Sequence, residues 1–110
     1  NMLTREIHGH GWQYITADRI INEGETLLFQ ILINASADGG DISVYEGLDA
    51  QSGRLVGTFV SLQNHMSSIN FHGIFLDRGL FIDVGTSITG VLVIYDTLKD
   101  ENPNIEEVNG

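Results

Sequence analysis

The chain has no cysteine, which excludes a disulfide framework, a thiolate zinc site and a cysteine nucleophile, and leaves stability to packing and to contacts between subunits. It is also short of positive charge. Five Lys and Arg stand against fifteen Asp and Glu, for a net charge of −10 and a pI near 4.4. Such a surface repels phosphate backbones and anionic membrane surfaces alike, so neither nucleic acid nor membrane is an expected partner, and the charge reads first as a solubility device. Long apolar runs are missing too: Leu27 to Ile33, interrupted by Gln30, falls far short of the roughly 20 residues that span a bilayer. The opening Asn1-Met2-Leu3-Thr4-Arg5-Glu6 has no basic flank followed by an apolar stretch. With Met2 taken as the native start and Asn1 as an addition to it, the expectation is a protein retained in the cytosol of its producer.

Motifs of catalysis are equally scarce. There is no Gly-rich phosphate loop ahead of a helix, no Gly-x-Ser-x-Gly elbow and no His-Glu-x-x-His helix, so no enzyme activity and no cofactor are expected. At 110 residues the chain suits one compact core.

What is present is β pattern. Leu27-Leu28-Phe29-Gln30-Ile31-Leu32-Ile33 reads as a strand at the centre of a sheet. Alternation of period two marks further strands around Ile42 to Tyr45, Leu55 to Leu62, Ile69 to Phe75, Leu80 to Val84 and Val91 to Tyr95, with one more from Gln13 to Ile21. Breakers such as Asn22-Glu23-Gly24, Ala37-Asp38-Gly39-Gly40, Gln51-Ser52-Gly53, Asp77-Arg78-Gly79 and Gly85-Thr86-Ser87 fall between them. The echo of Gly73-Ile74-Phe75-Leu76-Asp77 in Gly79-Leu80-Phe81-Ile82-Asp83 reads as two consecutive strands, or one bent strand, with a corner at 77–79. The expectation is an all-β fold, an antiparallel, jelly-roll-like β-sandwich of about seven to eight strands over residues 1–96, with an acidic tail over 97–110. Phe29, Ile31, Ile33, Ile42, Val44, Phe59, Phe71, Phe75, Leu80, Ile82, Val91 and Val93 are the expected core.

Candidate chemistry is thin. His8 and His10 share a side of an extended segment, with His65 or His72 as third ligands, but histidines two apart near a terminus are more often ordinary surface residues, and no metal site is expected. Asp38-Gly39-Gly40-Asp41 lacks the ligand count of a Ca²⁺ loop and reads as a solvated turn. Glu23 with Glu25, or Asp77 with Asp83, would need a cleft to act as an acid/base pair. Trp12 and Tyr14 share a face and suit an interface, or stacking on a sugar ring.

Asp41-Ile42-Ser43-Val44-Tyr45-Glu46-Gly47, Ala50-Gln51-Ser52-Gly53-Arg54-Leu55, Asn70-Phe71-His72-Gly73-Ile74, and Gly79-Leu80-Phe81-Ile82-Asp83-Val84 leading into Thr89-Gly90-Val91-Leu92-Val93-Ile94-Tyr95 together resemble small β-sandwich virion proteins of tailed bacteriophages. The likeness runs from Glu25 to Asp96, about two-thirds of the chain. It implies a jelly-roll or related sandwich, located in the virion and made in the host cytoplasm, that trimerises as a capsid decoration (cement) protein or a fibre or tail component.

The leading expectation is therefore a non-enzymatic virion subunit that stabilises a particle through protein–protein contacts with a capsid or tail protein. The alternative is a carbohydrate- or receptor-binding module of a fibre or tail, with Trp12, Tyr14 and loop carboxylates as its working groups. A metal-dependent cupin-like enzyme ranks third, for want of visible ligands. A homo-oligomer is expected, trimer before dimer, because strand residues are apolar on both faces. Ile105 and Val108 are the candidate tail contacts with a neighbouring subunit.

Overall fold

A computed structural model describes residues 10–62 and 66–98. They form eight strands: β1 (Gly11–Ile15), β2 (Arg19–Asn22), β3 (Thr26–Ala35), β4 (Gly40–Glu46), β5 (Arg54–Ser61), β6 (Met66–Leu76), β7 (Leu80–Val84) and β8 (Ile88–Thr97). All pairings are antiparallel, and two four-stranded sheets result, sheet I in the order β1-β8-β3-β6 and sheet II in the order β2-β7-β4-β5. Only β4 and β5 are both consecutive in the chain and paired in one sheet; every other step changes sheet. The all-β sandwich expected from the sequence is the fold observed.

The core lies between the sheets. Leu28, Ile31, Ile33, Val91 and Val93 from sheet I meet Ile42, Val44, Leu80 and Ile82 from sheet II, all fully buried. Each such side chain contributes on the order of 1.5–3 kcal/mol through burial. β3 lies between β8 and β6, as its apolar run predicted. The corner at 77–79 also stands as expected, with β6 ending at Leu76 and β7 beginning at Leu80 in the other sheet.

Two expectations need correction. Gln13 to Ile21 is two strands in different sheets, because the chain bends after Ile15 and Asp18 Oδ1 accepts a hydrogen bond from Val84 N at 2.7 Å. Aspartate favours such corners by capturing backbone N–H groups. The break places Ile15 and Ile21, both buried, against opposite sides of the core, and Gln13 Nε2 spans them with bonds to Ile21 O at 3.0 Å and Tyr95 Oη at 2.9 Å.

The second correction concerns phase. Phe29 and Phe75 are not core residues, and Phe59 and Phe71 are only partly buried, packed at the margin of the core edge to face with ring centroids 5.7 Å apart. The register of β3 shifts between Leu28 and Gln30 against both neighbours, and in the partner strand β6 His72 and Gly73 have φ of +59° and +77°. A bulge of this kind adds residues to one strand and moves everything beyond it to the opposite face. Ile69 and Phe71 therefore point inward before the bulge, Ile74 and Leu76 after it, and Phe75 is 53% exposed. Gly73 is required here: its positive φ disfavours other residues, and a Cβ would stand 3.0 Å from the Phe29 ring. Beyond the bulge, Leu28 and Leu76 supply core that strict alternation misses.

The register makes a direct prediction. Leu76→Ala should cost about 2–5 kcal/mol by leaving a cavity, whereas Phe75→Ala should cost less than about 1 kcal/mol in urea unfolding at low protein concentration. Equal costs would mean that β6 has no change of phase.

Candidate interaction site

The outer face of sheet I is where large apolar side chains collect. Pairing of β1 with β8 sets Trp12 opposite Ile94 and Tyr14 opposite Leu92, while β3 sets Leu32 opposite Leu92 from the other side. Their neighbours Ile15 and Val91, also paired, point into the core, so period two turns this row outward. Trp12 and Tyr14, which the sequence placed on one face, are 66% and 52% exposed. His10, Trp12, Leu92 and Ile94 line a shallow hollow of about 430 Å³. Tyr14 lies across Gly90, where any Cβ would collide with its phenol ring, so the glycine is what lets the tyrosine lie against the sheet.

One end of this face is held by Asp96. Its carboxylate meets His10 Nδ1 at 3.0 Å and accepts from Gly11 N at 3.3 Å, and the His10 ring stacks on Phe29 with centroids 3.9 Å apart. Phe29, expected in the core, thus belongs to this surface. Asp96 is the only carboxylate in the four strands of sheet I, which carry no Lys or Arg. Sheet II by contrast holds Arg19, Asp41, Glu46, Arg54 and Asp83 within its strands.

The candidate metal and acid/base groups do not converge. His8 and His65, like Ile105 and Val108, lie outside the described residues. His10 is engaged by Asp96, His72 sits in the β6 bulge, and no group of three metal-ligating side chains occurs among the described residues. Asp41, from the turn weighed for Ca²⁺, instead braces a neighbouring loop, accepting from Thr86 N at 3.2 Å and Thr86 Oγ1 at 3.3 Å. Asp77 and Asp83 are not a pair: Asp77 lines a cleft at one end of the sandwich, while Asp83 faces Asp18 and Asp41.

That end cleft, of about 670 Å³, was not foreseen. The loop between β4 and β5 and the corner between β6 and β7 form it, joined by Gly47 N to Gly79 O at 3.2 Å and by Asp77 N to Glu46 Oε2 at 2.6 Å. Within the first loop Asp49 Oδ1 accepts from Ser52 N at 2.7 Å and Ser52 Oγ at 2.8 Å, bonds that hold its carboxyl below the usual range. Arg54 and Arg78 both line the cleft. They are 24 positions apart in the chain, and only the pairing of the two loops brings them together.

No family model, curated protein or solved structure matches this chain. Its site is therefore known from its own geometry.

The carboxyl of Asp83 is raised above its ordinary value, first by burial and then by the charges of Asp18 and Asp41. A raised folded-state pKa means that ionisation opposes folding, so this contribution to stability is full below the unfolded-state value near 4 and is lost as pH rises through the folded-state value. Asp83→Asn should therefore raise the melting temperature at pH 7, by about 1–3 °C given the partial exposure of the group, and have little effect at pH 3. A loss of stability at pH 7 would contradict the assigned repulsion.

Proposed function

We propose that the chain is a non-enzymatic structural subunit that works by assembly, docking copies of itself through the outer face of sheet I. The observation that carries this reading is the charge-poor row in which exposed Trp12 and Tyr14 stand beside half-buried Leu92 and Ile94, in a protein of net charge −10. Large exposed apolar patches on small domains mark interaction surfaces, and aromatic residues are enriched at the centres of interfaces. A second copy is the favoured occupant because like charges on two acidic chains repel, and this is the sheet whose strands hold a single carboxylate.

The finer reading is a capsid decoration protein of a tailed bacteriophage, in the virion, with the trimer preferred over the dimer. It rests on the sequence resemblance and on the strand order β1-β8-β3-β6 against β2-β7-β4-β5, which supports a jelly roll. Decoration uses a small, rigid, self-associating domain and no catalytic chemistry. A subunit of this kind binds a preformed lattice of capsid protein, leaving the sandwich itself unchanged.

Light scattering at micromolar concentration should give a mass two or three times 12.1 kDa, and Trp12→Ser with Tyr14→Ser should return it to the monomer with an unchanged circular dichroism spectrum. Loss of an aromatic anchor at an interface centre costs about 2 kcal/mol or more, enough to weaken association at least about thirtyfold. A wild-type monomer, or an oligomer indifferent to both substitutions, would overturn the reading. Binding to phage capsids lacking their own decoration protein tests the finer assignment separately.

A further inference from the structure

The end cleft is unrelated to the outer face of sheet I and has a chemistry of its own. Its size, about 670 Å³, lies within the range of about 300–1,000 Å³ typical of small-ligand sites. Its walls are pre-formed, because the backbone bond from Gly47 N to Gly79 O and the bond from Asp77 N to Glu46 Oε2 tie the two loops together. Two of the three arginines among the described residues, Arg54 and Arg78, line the cleft. Neither guanidinium has an ion-pair or hydrogen-bond partner among the described residues.

None of the nearby carboxylates is ion-paired with them. Glu46 is bound to the backbone of Asp77, and Asp49 is bound twice to Ser52. Glu46, Asp49 and Asp77 line the cleft as well and bring hydrogen-bond acceptors to it, and Leu48, 42% exposed, adds an apolar side chain. The three carboxylates repel a multiply charged phosphate more strongly than a ligand with a single negative charge, and a neutral sugar would leave both guanidinium forks without an anion. A ligand with one carboxylate and several hydroxyls satisfies both halves of the lining.

We propose that the cleft bounded by Arg54 and Arg78 binds an acidic saccharide, its carboxylate held by the guanidinium groups and its hydroxyls donating to Asp77, Glu46 and Ser52. The sugar's C–H face would rest on Leu48. Such a site gives an assembly subunit an affinity for acidic surface polysaccharide that does not depend on how its copies associate.

The full-length chain, labelled with ¹⁵N, is titrated with glucuronate, with glucose, with acetate and with inorganic phosphate. Glucuronate should shift the amides of residues 46–54 and 77–79, with a Kd in the range of about 1–10 mM expected of a single sugar. Glucose and acetate should each bind at least about tenfold more weakly, since each offers only half of the contacts. Arg54→Gln and Arg78→Gln should each weaken glucuronate by about tenfold or more, and Arg78→Lys, which keeps the charge and loses the fork, should do so in part. A dispersed amide spectrum for each variant establishes that it is folded. No shift with glucuronate, or acetate or phosphate matching it at the same residues, overturns the saccharide site, as does glucose binding equally well. The mass in solution is read in the same samples, so failure of this site and failure of the assembly surface are separate results.

Discussion

The bulge that β3 makes at Phe29, matched by the His72-Gly73 irregularity in β6, decides which side of sheet I each residue shows. Sheet faces alternate strictly, so a single inserted residue exchanges inside for outside along the rest of a strand. Leu28 and Leu76 enter the core as a result, while Phe29 and Phe75 leave it. Phe29 then supplies the ring on which His10 stacks, and through His10 and Asp96 the start of β1 is fixed beside the end of β8. The position of Trp12 and Tyr14 on the outer face follows from that pairing.

Charge is divided between the two sheets in a way that overall composition conceals. Among the described residues, sheet I has one carboxylate in its strands, and the other charged side chains lie in sheet II and the loops. An acidic exterior keeps the protein dissolved, and one face kept nearly free of charge allows close contact without bringing like charges together. The repulsion that remains is local, where Asp83 faces Asp18 and Asp41 at the junction of β7 with the first corner. Asp18 holds that corner through Val84 N, and Asp41 holds the loop through Thr86, so the same carboxylates that repel one another also satisfy backbone and side-chain donors.

The two candidate surfaces differ in what makes them. The outer face is a product of period two along β1, β3 and β8, and its aromatic residues sit two apart in the chain. The end cleft is a product of loop pairing: Arg54 opens β5, Arg78 sits in the β6–β7 corner, and bonds such as Gly47 N to Gly79 O bring those loops together. A surface of the first kind suits a flat protein partner, and a cleft of the second kind suits a small polar ligand.

The sequence by itself determined the all-β class, the placement of β3 inside its sheet, the 77–79 corner and the shared face of Trp12 and Tyr14. Each is a local property, since alternation and turn residues act over a few positions. Eight of the twelve expected core residues are fully buried, and all eight lie in stretches of uninterrupted alternation or, for Ile31 and Ile33, beyond the bulge in β3. Only the tertiary structure decided the change of phase at Phe29 and Gly73, the splitting of Gln13 to Ile21 between two sheets, and the placing of Arg54 and Arg78 in the lining of one cleft. A bulge, a sheet crossing and a loop contact are set by which strands pair and in what register, and that information is spread over residues too far apart in the chain for any local pattern to record it.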